Sequence, residues 1–237
     1  MKIMKMLVMA SVMLAGVFVF TSCNKEGGTG GTTITEGQWI DLGLPSGILW
    51  ASYNVGATSP LANGDFFSWG ETQPKEDYSA ATYKYCRYVS SEERYFLTKY
   101  CNQSIEGYEG YTDNLTVLES SDDAATAQWG GGARTPTKEE WQELLDNTTE
   151  QLIEVNGVEG CLFTASNGRN VFLPLSGTYD QQYYSGEGFR GSYLSSSLNT
   201  GNPKCYYHLN CGGERAQVYP TGGRTKGVVV RPVRSAK

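Results

Sequence analysis

The sequence predicts an α+β fold, a loop-rich antiparallel β-sheet domain with about two short helices. Three observations carry that expectation. The 237 residues include 29 glycines and 16 tyrosines, and Asn63-Gly64, Asn156-Gly157 and Asn167-Gly168 are hairpin-turn dipeptides. Helical periodicity is confined to short stretches, and β-rich segments stand near the start and at the end of the region beyond residue 38.

The leader comes first. Lys2 and Lys5 precede an uncharged apolar run, Met6 to Phe20, and Phe20-Thr21-Ser22-Cys23 follows as a small-residue cleavage site. That run falls short of the roughly 20 apolar residues of a comfortable membrane span, so residues 1–22 read as a removable signal peptide. The site resembles the lipobox of bacterial lipoproteins, with Phe20 at the position where Leu is usual. The resemblance implies a lipidated Cys23 and attachment to the outer membrane, with surface exposure favoured over a periplasm-facing orientation. Residues 23–37 are rich in Gly and Thr, carry little bulky apolar side chain, and read as a flexible tether.

Residues 38–237 read as one domain, since no Pro/Ser-rich linker interrupts them. Ile48 to Val55 opens it as a strand, and Gly227 to Val233 closes it as another. Ser120 or Ser121 can start a short helix through Asp122, Asp123, Ala124, Ala125 and Ala127, with the acids favourably placed in its first turn. The clearest helix begins at Thr137, because Thr137 and Glu140 have capping-box spacing. Trp141, Leu144 and Leu145 then share one face. Gly160 to Thr164 and Asn170 to Leu173 read as strands joined by a turn at Ser166-Asn167-Gly168-Arg169.

Ordered motifs run along this region: Asp41-Leu42-Gly43-Leu44-Pro45-Ser46-Gly47-Ile48-Leu49-Trp50-Ala51, Asn54-Val55-Gly56-Ala57, Trp69-Gly70-Glu71, Asp122-Asp123-Ala124-Ala125, Trp129-Gly130-Gly131, Arg134-Thr135-Pro136-Thr137, Phe172-Leu173-Pro174 and Val230-Arg231-Pro232-Val233. Together they resemble the Fibrobacter succinogenes major paralogous domain, common in lipoproteins of Bacteroides and its relatives, from about Trp39 to Arg234. Ala133 and Leu194 stand where that family commonly has Trp. Arg134 to Trp141 is more distantly similar to a segment of formylglycine-generating-enzyme-like proteins. That similarity implies a C-type-lectin-like fold in which the first and last strands of the domain pair. No counterpart of the formylglycine active-site segment aligns onto Cys205 or Cys211, so that activity is not carried over.

Charge narrows the partners. Loss of Lys2 and Lys5 with the leader takes the net charge from −6 to −8, which disfavours nucleic acid and leaves the lipid anchor as the membrane link. Gly186-Glu187-Gly188-Phe189-Arg190-Gly191 has dinucleotide-binding spacing without the flanking strand and helix, and reads as a loop. Gly130-Gly131-Gly132 and Gly43 to Gly47 read as turns. His208 is the single histidine, so multi-histidine metal sites are excluded and any His-dependent triad rests on it. No metal or cofactor is expected. Calcium enters only because many lectin-like folds hold it, and the Glu-Pro-Asn and Trp-Asn-Asp sugar-binding motifs are absent.

Five cysteines follow Cys23, and an oxidising compartment favours pairing. The local choices are Cys205 with Cys211 and Cys86 with Cys101, which leave Cys161 as a buried thiol. Eight tyrosines lie between Tyr78 and Tyr111 among charged residues. Tyrosine supplies a stacking face and a hydroxyl at low entropic cost. Tyr83, Tyr85, Tyr108, Tyr111, Tyr183 and Tyr184 are therefore the candidate ligand-binding residues, and the first four are expected to include exposed rings on one face. These readings favour a non-enzymatic, lipid-anchored binding or adhesion module for a glycan or for an envelope or host protein. The alternatives are a polysaccharide-active enzyme, whose paired carboxylates would have to meet across a cleft, and a structural subunit of a surface appendage.

Overall fold

Strands at opposite ends of the domain meet in one small sheet. The computed structural model describes residues 33–236, and the leader, Cys23 and most of the tether lie outside them. β1 (Trp39–Asp41) pairs antiparallel with β2 (Ile48–Ala51), which in turn pairs with the last strand, so that Trp50 faces Val233. The expected strand from Ile48 stops at Ala51 rather than Val55. Asn54 and Val55 leave the ladder to meet Arg231 and Val230 instead.

β3 (Phe66–Phe67) follows, then the hairpin of β4 (Cys86–Val89) and β5 (Arg94–Leu97). Ser120–Asp122 forms a single 3₁₀ turn, and Asp123 caps α1 (Ala124–Trp129) by accepting from the Thr126 amide at 3.0 Å. The expected acidic helix start is thus divided. Asp123 is the cap, while Asp122 turns inward to other partners. α2 (Lys138–Asn147) begins as its capping box requires, with Thr137 Oγ1 accepting from the Glu140 amide and the Glu140 carboxylate accepting from the Thr137 amide. Glu140 also holds Arg134 through two hydrogen bonds at 2.7 and 2.5 Å. Trp141 and Leu144 are buried and Leu145 packs beside them.

After α2 come β6 (Thr148–Val155), β7 (Val158–Ala165) and β8 (Asn170–Pro174) in one antiparallel sheet. The turn between β7 and β8 lies where the sequence places it, with Gly168 at positive φ. β9 (Ser176–Asp180), β10 (Tyr183–Glu187), β11 (Gly191–Leu198), β12 (Cys205–Cys211) and β13 (Gln217–Gly223) build the largest sheet, in the order β10-β9-β11-β12-β13. β14 (Val228–Val229) joins this sheet parallel to β11, and β15 (Val233–Ser235) returns to β2. The expected closing strand is therefore two short strands serving different sheets.

Arg231 explains the break between β14 and β15. Its guanidinium is fully buried and donates to Asn54 Oδ1 at 2.8 Å, to the Ala51 carbonyl at 3.2 Å and to the Phe172 carbonyl at 2.9 Å. Burial pulls its pKa down to about 10. A second buried arginine, Arg224, stacks 4.8 Å from the Trp69 ring and donates to the carbonyls of Lys99, Tyr100 and Pro203. The tether also ends earlier than expected, because Thr35 exchanges hydrogen bonds of 2.9 Å with Asn170 of β8.

Candidate functional site

The large sheet has two unlike faces. Side chains alternate along a strand, and in β12 Leu209 and Cys211 enter the apolar core while Tyr206, His208 and Asn210 line a cavity of about 400 Å³. Ser192 of β11 and Tyr219 and Thr221 of β13 line it as well. A register shift makes room for both β13 residues. Tyr206 pairs with Gly222 but His208 pairs with Tyr219, so β13 carries one extra residue across that step. Such a bulge re-aims side chains, and here Tyr219 and Thr221 both lie beside His208.

His208 sits at the centre of this hydroxyl-rich floor. Its Nδ1 is 3.0 Å from Ser192 Oγ and its Nε2 is 3.4 Å from Thr221 Oγ1. Burial, and then the nearby Arg190 charge, pull its pKa down to about 4, so the ring is neutral at physiological pH. A general base works best with a pKa near the operating pH. Among the described residues His208 has no carboxylate partner to orient it as in a nucleophilic triad. What this arrangement offers is a set of neutral donors and acceptors. Tyr206 is fully buried beneath them, and its hydroxyl has no hydrogen-bond partner among the described residues. Its ring stacks on Trp69 and lies against Gly222, where a Cβ would come within 2.6 Å of the Tyr206 ring.

The tyrosines singled out from sequence separate into three groups. Tyr83 and Tyr85 are buried, contrary to expectation. Tyr83 donates to the Trp69 carbonyl and accepts from Arg224 Nε, and Tyr85 donates to Asp122. The charged partners of these buried hydroxyls, Arg224 and Asp122, come from outside the segment. Tyr108 is half-buried, with the Arg87 guanidinium 5.5 Å from its ring, and Tyr111 is 38 % exposed. Tyr183 is exposed at 75 %, and Tyr184 stacks on Tyr179 while donating to the Ser176 carbonyl. None of the six lines the His208 cavity. A second cavity of about 430 Å³ is lined instead by Tyr78, Tyr88 and Tyr95.

The proposed disulfides are also absent. Cys205 and Cys211 occupy opposite ends of β12, about 20 Å apart at the rise of an extended strand, and a bridge needs Cα atoms within about 7 Å. Cys86 and Cys101 are free thiols that donate to the Ala80 and Gln103 carbonyls respectively. No group of three His, Cys, Asp or Glu side chains among the described residues is arranged to hold a metal. Ala133 and Leu194, the positions commonly Trp in the resembling family, are both buried and add nothing to the exposed surface.

In the sequence this pocket leaves only the period-two pattern Tyr206-x-His208-x-Asn210, between the two cysteines of β12. No protein-family model, curated protein or solved structure matches this chain.

Proposed function

We propose that this is a non-enzymatic, lipid-anchored binding module of the bacterial cell envelope, displayed at the outer-membrane surface, that recognises a glycan in the His208 pocket. The leader ending at Cys23 supports the anchor and the address. The lectin-like arrangement implied by the family resemblance is supported by the pairing of β2 with β15, strands from opposite ends of the domain.

The observation that carries the binding reading is the pocket itself. Ser192, Asn210, Tyr219 and Thr221 line one cavity together with a neutral imidazole. Sugar hydroxyls are both donors and acceptors, and such side chains satisfy them without a net charge on the floor. Tyr219 is 39 % exposed and offers a ring face at the rim.

A glycan-array screen of the chain carrying Cys23→Ser, run in parallel with calcium and with chelator, tests this reading. Selective binding in both conditions is the expected result. Binding lost in chelator would reveal a cation the reading does not include, and no binding in either condition would turn the assignment toward a protein partner.

A further inference from the structure

Resting on the glycan-binding reading, we propose that the pocket takes a saccharide unit bearing an anionic group, anchored by the guanidinium of Arg190. The chain is acidic, with 25 Asp and Glu against 19 Lys and Arg, yet the cavity is lined by Arg190 and Lys226 and by no carboxylate. Lys226 is already engaged by Asp180 at 3.0 Å. Arg190 is exposed, and among the described residues no carboxylate lies within ion-pair distance of it. An arginine fork matches a carboxylate or sulfate with two parallel hydrogen bonds.

The neighbouring cavity has the opposite sign. It carries Glu93 and Asp180 and no lysine or arginine. The Asp180–Lys226 ion pair contributes one residue to each cavity. An acidic sugar unit is thus directed to Arg190 and repelled from the tyrosine-lined side, which suits a neutral unit stacked on an aromatic ring.

Calorimetric titration of the Cys23→Ser chain tests this with a panel of oligouronates, the same oligomers with their carboxyl groups reduced to alcohols, and sulfated oligosaccharides. The expected result is binding of at least one anionic oligomer, about tenfold weaker when its carboxyl is reduced. Arg190→Gln should abolish that discrimination while leaving the melting temperature unchanged. Preference for a sulfated oligomer, also lost in Arg190→Gln, supports the same anion site with a different acid. Equal binding of acidic and reduced oligomers, or an anion preference that survives Arg190→Gln, overturns the proposal and leaves the glycan reading standing. No binding of any oligosaccharide overturns both.

Discussion

Replacing Asp122 by asparagine should remove a pH-dependent part of the stability of the fold. Asp122 is 3 % exposed and accepts from Lys99 Nζ at 2.6 Å, from the Tyr100 hydroxyl at 2.7 Å and from the Tyr85 hydroxyl. Burial alone would raise its pKa, but the hydrogen bonds from Lys99, Tyr85 and Tyr100 outweigh it and hold the carboxyl at about 2, below its ordinary 3.8. At 1.36 kcal/mol per unit, that difference contributes about 2 kcal/mol at pH 7. The folded pKa is the lower one, so the contribution is complete above the unfolded value and disappears as pH falls through the folded value. By pH 3 about half remains. Asparagine stands in for the protonated acid. The variant should therefore melt about 4–8 °C below the parent at pH 7, given the size of the domain, with the gap narrowing as acid is added. Thermal unfolding of both proteins between pH 7 and pH 3 reads this directly, and the other carboxylates cancel in the difference. Equal stability at pH 7, or a gap unchanged at pH 3, would refute the reasoning.

Other substitutions probe other parts of the account. Arg231→Met keeps the volume but leaves Asn54 Oδ1 and the carbonyls of Ala51 and Phe172 without their donor. At 1–3 kcal/mol for each orphaned group, a loss of about 3 kcal/mol or more is expected in urea unfolding. Thr137→Ala removes the acceptor for the Glu140 amide and should cost about 1 kcal/mol in the same assay. Gly222→Ala places a Cβ 2.6 Å from the Tyr206 ring, so it should lower the melting temperature and weaken glycan binding together. Gly223→Ala meets only the flexible Lys226 side chain at 3.6 Å and should be tolerated.

Signals in this sequence agree with the structure where their physics is local. The capping box at Thr137, the Asn167-Gly168 turn and the strands around it depend on neighbours within a few residues, and the structure has them there. The pairing of β2 with β15 is long-range: it is what the family resemblance implies, and the two β-rich segments at the ends of the domain permit it without requiring it. The tyrosines misled because burial is not a local property. Lys84, Lys99 and Asp122 look like surface residues in sequence, but in the fold they supply partners to the Tyr85 and Tyr100 rings. The cysteines misled for a related reason, since short separation in sequence becomes long separation in space once Cys205 to Cys211 is extended. Beyond the period-two pattern of β12, the pocket depends on a bulge in β13 and on residues from five strands, β9 and β11 to β14, and neither leaves a mark that a single sequence displays.

The central claim is that the His208 pocket is where the ligand binds. Thr221 lines that pocket and its residue is exposed, so Thr221→Trp can fill the cavity without entering the core. The most direct test is a glycan array probed side by side with the Cys23→Ser chain and the same chain carrying Thr221→Trp, both shown to be folded. The account predicts that glycans captured by the first are lost by the second. Capture of the same glycans by both proteins would place the ligand elsewhere and contradict it.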